Sequence, residues 1–203
     1  MVIKMINYIT AMLLLLATAS LAGFVYLFFR TRQTDEQAIQ ALDQNFGFLL
    51  MIVGLIATYL GIHMITTHPI NVPNTPLYIY NMEFGIPYTF FGIIVLTTGY
   101  SLWKGLDLKP ISYFAFFGGI FNLRYAWNFI EFGLTREPTM TFALYLAASL
   151  GAIVSPFFTH AKNESNKKIA VYIIMLFLLI TGAVAGLIAF GAIESHVAEA
   201  LAG

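Results

Sequence analysis

The sequence predicts an all-α, polytopic membrane protein, with six transmembrane helices in one bundle and both termini outside. Three observations indicate this class. Of 203 residues, 59% are hydrophobic and 10% are charged, whereas a soluble domain is about 45–50% apolar and about 25% charged. The mean hydropathy is +0.80. Six apolar stretches are also long enough, at roughly 20 residues each, to cross a bilayer core about 30 Å thick.

Each apolar stretch is interpreted as one span. The spans are Met5–Phe29, Phe46–Ile65, Phe84–Trp103, Ile111–Phe132, Met140–Phe158 and Ile169–Ile193. They occupy most of the chain, so residues 1–203 are predicted to form a single transmembrane domain. The first span is too long for the apolar core of a signal peptide and is expected to remain as a helix.

Two connections have a predicted structure of their own. Residues 30–45 are amphipathic and are expected to lie along the membrane interface as a helix. Residues 66–83 form the longest external loop, because Pro69, Pro73 and Pro76 preclude a regular helix there.

Lys and Arg are distributed unevenly between the two sides. Connections one, three and five carry Arg30, Arg32, Lys104, Lys109, Lys162, Lys167 and Lys168, whereas the other side carries Lys4 and Arg136. Because basic loops stay in the cytoplasm, the odd-numbered connections are predicted to be cytoplasmic. The expected location is the cell membrane, as a multi-pass protein.

The sequence lacks the residues that several classes of function require. There is no Cys, and ten basic residues balance ten acidic ones, so no nucleic-acid footprint is present. The four His residues show no i,i+4 pair, and no Lys lies mid-span. No catalytic residue, metal site or cofactor is therefore predicted, and the protein is not expected to be an enzyme.

Small residues predict where helices touch. Gly47, Gly54 and Gly61 recur every seven residues along one face of the second span. Lipid provides no hydrophobic drive between helices, so close backbone approach must stabilise their contact. The stripe therefore predicts a helix–helix interface; the alternative is that these glycines line a narrow pore.

The fourth span carries the polar residues that most need an explanation. Arg124, Asn128 and Glu131 fall within about 60° of one another on a helix. A charge deep in a bilayer is costly unless it is paired or hydrated. This polar stripe is therefore predicted to face the bundle interior or water.

Polar residues of other spans are predicted to meet this stripe in the outer half of the bundle. The candidate set, taken as a substrate path or a buried polar cluster, is Arg124, Asn128, Glu131, Glu83, His63, Asn122 and Asn81. Two interpretations stay open: an Arg–carboxylate pair that locks two helices together, or a vestibule that binds a substrate.

One segment resembles a known family. It comprises Asn81-Met82-Glu83-Phe84-Gly85-Ile86-Pro87, Phe90-Phe91-Gly92 and Gly105-Leu106-Asp107-Leu108-Lys109-Pro110. It resembles the archaeal membrane proteins grouped as domain of unknown function 981, which have a similar length and number of spans. The resemblance covers residues 45 to 160 and implies no established activity.

A more distant similarity is to the six-span amide–urea channels. These have a Gly in the third span, a Gly-Leu-Asp-Trp-Arg-Pro loop and an aromatic-rich fourth span; here Gly92, the loop at 105–110 and Tyr113, Phe114, Phe116 and Phe117 stand at similar spacing. The fifth span of those channels is rich in Trp, which residues 142–158 lack. The similarity therefore implies a shared scaffold rather than selectivity for urea or amides. By itself, the loop is also typical of a helix stop, an Asp cap and a Pro at a helix start.

Three functions remain after these exclusions. The leading hypothesis is a passive channel or facilitator for a small polar solute, working alone or as a homo-oligomer. The second is a structural or accessory subunit of a larger membrane complex. The third is a membrane-embedded enzyme acting on a lipid or quinone.

Overall fold

Six α-helices account for nearly all of the described residues. A computed structural model of the protein describes residues 8–70 and 77–202, and within them every side chain except those of residues 77, 195–197 and 199–202. The helices are α1 (Tyr8–Arg30), α2 (Glu36–Thr67), α3 (Leu77–Lys104), α4 (Lys109–Phe132), α5 (Pro138–His160) and α6 (Glu164–Ala202). The all-α class is therefore confirmed for the described part of the chain.

Five of these helices are long and apolar enough to cross a membrane. The exception is α4, which matches its neighbours in length but is the least apolar of the six. Its polar residues include Asn122, Arg124, Asn128 and Glu131. The chain is thus a helical protein of the multi-pass membrane type.

Two predicted connections differ from the structure. Residues 36–45 are the first turns of α2 rather than a separate surface helix, because Asp35 caps the N–H groups of Gln37 and Ala38 and the helix runs on without a break. The predicted loop 66–83 is shorter, since α2 ends at Thr67 and α3 begins at Leu77. Residues 71–76, with Pro73 and Pro76, lie outside the described residues.

The helices form a closed ring of contacts. Each helix packs against the next along the chain, and α6 packs against α1. The short connections 31–35, 105–108 and 161–163 lie at one end of the bundle, called here the basic end. Residues 68–70 and 133–137 lie at the opposite end, called here the far end.

The α2–α3 interface is the most extensive in the bundle. Gly47, Gly54 and Gly61 of α2 face α3, as predicted, and the helix-packing interpretation of this stripe is confirmed. A side-chain carbon at Gly47 would lie 2.7 Å from the carbonyl oxygen of Gly99, and one at Gly61 would lie 2.7 Å from the amide nitrogen of Thr89. The two backbones are therefore in direct contact.

A second glycine stripe, on α3, completes this interface. Gly85, Gly92 and Gly99 are also seven residues apart, and they face α2. A side-chain carbon at Gly99 would lie 2.6 Å from the carbonyl oxygen of Gly47. Because glycines of both helices face each other, the two backbones can approach closely without a steric clash.

Polar groups join α4 to α5. The amide nitrogen of Asn122 donates to the hydroxyl of Ser149 (2.9 Å) and to the carbonyl of Tyr145 (3.2 Å). Towards the basic end, the Ser155 hydroxyl donates to the carbonyl of Ser112 (3.0 Å). Hydrogen bonds between helices in a membrane contribute roughly 0.6–2 kcal/mol each.

The loop between α3 and α4 follows helix-end chemistry. Gly105, with φ at 65°, ends α3 in a conformation that favours glycine. The N–H of Lys109 donates to the Asp107 carboxylate at 3.0 Å, and Pro110 stands in the first turn of α4. This hydrogen bond, together with the Lys109 ammonium, holds the pKa of Asp107 below its usual value. The interpretation of these residues as a helix stop and a Pro start is confirmed, but the N-cap residue is Leu108, so Asp107 accepts its hydrogen bond from just before the cap.

The glycine interface gives a first prediction. We expect Gly54→Ala to lower the free energy of unfolding by about 1–3 kcal/mol, because the added carbon meets the backbone of Leu96 and the helices must separate. Denaturant or thermal unfolding in detergent measures the effect.

The matched control is Gly186→Ala on α6. An added carbon there meets nothing within 4 Å, so no loss of stability is expected. Equal destabilisation by both substitutions would contradict the assignment of a close interface at Gly54.

Candidate functional site

A large cavity lies inside the ring of helices. Its volume is about 2330 Å³, and α1, α3, α4, α5 and α6 provide most of its lining. From α2, Asp43 and Leu50 border it. Most of α2 therefore packs against α3 and does not line the cavity.

The cavity extends from one end of the bundle to the other. At the basic end it is bordered by Arg30, Asp43 and Lys167, and at the far end by Arg136 and Glu137. A typical small-molecule pocket occupies about 300–1,000 Å³. This space is therefore larger than a typical small-molecule pocket.

Most of the lining between the ends is aliphatic and aromatic, with polar groups at intervals. The polar residues at intermediate depth are Ser20, Thr98, Ser101, Asn122, Ser149 and Thr181. Charged and amide groups also border the cavity nearer the far end, at Glu83, Arg124 and Asn128.

A cluster at the basic end was missed by the sequence analysis. The hydroxyl of Tyr26 donates to the Asp43 carboxylate at 2.9 Å, and the guanidinium of Arg30 donates to the same oxygen at 3.1 Å. All three side chains line the cavity. The signal available in the sequence was an acidic residue just before the second apolar run and a basic one ending the first.

An aromatic core lies at the far end. Phe129 of α4 is completely buried, and its ring centre lies 5.1 Å from that of Phe84 and 4.7 Å from that of Tyr145. The Tyr88 hydroxyl donates to the carbonyl of Met12 at 2.9 Å. These contacts join α1, α3, α4 and α5 beside the cavity.

The predicted polar set separates into several groups in the structure. Arg124 pairs with Glu131 at 3.2 Å, and their side chains are 64% and 40% exposed. Both residues are on α4, so this pair does not lock two helices together. The interpretation of Arg124 and Glu131 as an Arg–carboxylate pair that joins two helices is therefore wrong.

Glu83 and Asn128 do meet between helices. The Asn128 amide nitrogen donates to Glu83 Oε1 at 2.9 Å, across the seam between α3 and α4. Both side chains border the cavity. Two further atoms of this pair, Glu83 Oε2 and Asn128 Oδ1, are buried and accept no hydrogen bond from the described residues.

The other members of the predicted set lie elsewhere. Asn81 is fully buried, and its amide exchanges two hydrogen bonds with the backbone of Ile70 (3.0 and 2.8 Å), so it fixes the end of the α2–α3 connection. His63 is on α2, where its ring stacks on Tyr8 at 5.4 Å and lies 5.8 Å from that of Tyr59. Asn122 borders the cavity but is bonded to α5.

The role of Asn122 gives a second prediction. We expect Asn122→Ala to lower the melting temperature by a few degrees, corresponding to about 1–2 kcal/mol, because two hydrogen bonds to α5 are lost. The control is Asn166→Ala, at an exposed position near the start of α6. A control effect as large as that of Asn122→Ala would contradict this role.

Comparisons with known proteins identify the family of this chain. No curated protein and no solved structure matches it, so the distant similarity to amide–urea channels stays a prediction. The resemblance seen in residues 81–110 is confirmed, because the family described as protein of unknown function DUF981 matches residues 1–199, and the chain belongs to that family.

Proposed function

We propose that this protein is a membrane facilitator that lets a small polar solute pass through the cavity between its helices. One observation carries the proposal: the space of about 2330 Å³ is bordered by charged residues of both helix ends. A pocket that binds one substrate and opens to one leaflet does not need to reach both ends of the helices. A membrane-embedded enzyme also needs a paired acid and base. The mainly apolar wall of this cavity therefore supports passage of a solute better than it supports catalysis.

In this proposal all six helices cross the cell membrane and both termini are outside. The even number of helices and the position of the basic connections at one end support this arrangement. In α4, Glu131 at the far end accepts from the Arg124 side chain, which reduces the cost of placing the guanidinium in a membrane helix.

The orientation can be tested by cysteine labelling, since the natural chain has no Cys. We expect Phe132→Cys, exposed at the end of α4, to react with a membrane-impermeant maleimide on intact cells. Ser165→Cys, exposed at the start of α6, is expected to react only after the membrane is opened. The reverse pattern would place the basic end outside.

Permeation itself can be tested with stopped-flow light scattering on proteoliposomes. The solutes are urea, acetamide, glycerol and acetate. We expect the protein to speed the entry of at least one of them. We also expect Ala148→Trp to reduce that rate severalfold, because Ala148 lines the cavity near the middle of α5 and an indole narrows the passage there.

The matched control is Ala183→Trp, at an exposed position of α6 that does not border the cavity. It adds the same bulk on the outside of the bundle and is expected to leave the rate unchanged. No rate above that of empty liposomes for any of the four solutes would contradict passage of those solutes.

One observation favours a second candidate, an accessory subunit of a larger membrane complex or of a homo-oligomer. The side chains of Arg124 and Glu131 are 64% and 40% exposed, on a helix flanked by membrane-type helices; Arg124 borders the cavity, whereas Glu131 does not. Contact with another subunit would cover this pair. Under this alternative, Arg124→Ala releases a co-purifying chain and does not change solute entry.

A further inference from the structure

We propose that Glu83 and Asn128 bind a small monovalent cation that carries N–H donors, either a protonated primary amine or an ammonium ion. This inference rests on the proposed function and names the class of solute that the passage would recognise. The pair stands beside the cavity, at the seam between α3 and α4.

The hydrogen bonding of the pair is incomplete in a specific way. Asn128 donates to Glu83 Oε1, which leaves Glu83 Oε2 and Asn128 Oδ1 as buried acceptors without a donor among the described residues. Leaving a buried acceptor unsatisfied destabilises the folded state, and more so when the group is charged. Both free atoms are acceptors when Glu83 is ionised, so a ligand that satisfies them brings a donor.

The charges nearby give the sign of the ligand. Arg124 is close enough to act electrostatically on Glu83, but its guanidinium is engaged by Glu131 at 3.2 Å. No ion pair joins Glu83 to a basic side chain in the described part of the chain. When Glu83 is ionised, the side chains of Glu83, Arg124 and Glu131 carry one net negative charge, which one monovalent cation neutralises.

Two aromatic side chains make the surroundings suitable for a cation. Tyr125 and Tyr145 border the cavity and lie within electrostatic range of Glu83. The Tyr145 hydroxyl is directed to the carbonyl oxygen of Glu83, at 3.5 Å. The negative face of a tyrosine ring attracts an ammonium group placed within about 6 Å of its centre.

The number of ligands argues against a bare divalent metal ion. A Ca²⁺ ion takes six to eight oxygen ligands and Mg²⁺ takes six in a near-ideal octahedron. Here two free side-chain oxygens are available, with one net negative charge. An ammonium group needs no coordination sphere of that kind, because each of its N–H bonds pairs with one acceptor.

A solute can reach the pair from the cavity. Both free oxygens are buried in this arrangement, but the Glu83 and Asn128 side chains themselves border the cavity. The proposal requires rotation about the side-chain bonds of Glu83, which would carry its free oxygen from the seam to the cavity, where the solute would donate to it. The solute then replaces the Asn128 donor or joins it.

Binding can be measured separately from transport. We expect methylammonium chloride to raise the melting temperature of the purified wild-type protein, because a ligand of the folded state stabilises it. Tetramethylammonium chloride at the same concentration has the charge but no N–H donor, and is expected to give no shift. Glu83→Gln, which keeps an oxygen for Asn128, is expected to abolish the methylammonium shift.

Transport provides the second measurement, in proteoliposomes with radiolabelled methylammonium. We expect Glu83→Gln to reduce its uptake about tenfold, since a hydrogen bond to a charged acceptor becomes one to a neutral acceptor. The matched control is Glu137→Gln, which removes a carboxylate at the far-end mouth and is expected to leave methylammonium binding intact.

The possible failures are distinguishable. If urea or acetamide enters through the protein but methylammonium neither shifts the melting temperature nor enters, the cation site is wrong and the facilitator stands. If methylammonium shifts the melting temperature equally in wild type and Glu83→Gln, the site is not at Glu83. If no solute enters while the shift is present and depends on Glu83, the site stands and the facilitator is wrong.

Discussion

The direct backbone contact between α2 and α3 is the constraint on which the rest of the bundle depends. Two stripes of three glycines, each with a seven-residue spacing, let the helices approach until carbonyl oxygens and amide nitrogens of one meet the other. A side chain larger than hydrogen on this face would force the pair apart. With one face of α3 held in this way, its opposite face, which carries Glu83 and Thr98, is directed towards α4 and the cavity.

The other interfaces are built differently. The α4–α5 pair is joined by amide and hydroxyl groups, as at Asn122 and Ser149. In α6, Gly182 receives the side chain of Leu21 from α1. The α3–α4 contact is the least extensive of the six that close the ring. Two more extensively packed pairs, α2–α3 and α4–α5, therefore meet at this least extensive contact.

Membership of the DUF981 family agrees with this architecture over nearly the whole chain, from residue 1 to residue 199. The polar residues then divide by role. Asn81 and Asn122 satisfy backbone and hydroxyl groups of their neighbours, and Arg124 is matched by Glu131. The Glu83–Asn128 pair differs, because each side chain keeps a buried oxygen that its partner does not use. That incomplete pair, beside a large cavity, is the feature from which the proposed chemistry follows.

The sequence alone determined the all-α class, the number and order of the helices, the packing role of Gly47, Gly54 and Gly61, and the family, because hydropathy, glycine spacing and motif are local properties of the chain. Tertiary structure alone decided which polar groups meet. Arg124, Asn128 and Glu131 share one helical face, yet Arg124 bonds within its own helix and Asn128 bonds across to Glu83. The seven-residue spacing of the α3 glycines is present in the sequence, but their contact with α2 and the Tyr26–Asp43–Arg30 cluster became visible only in the structure. Helical periodicity specifies the face on which a side chain lies, but the neighbour of that face depends on how all six helices close the ring.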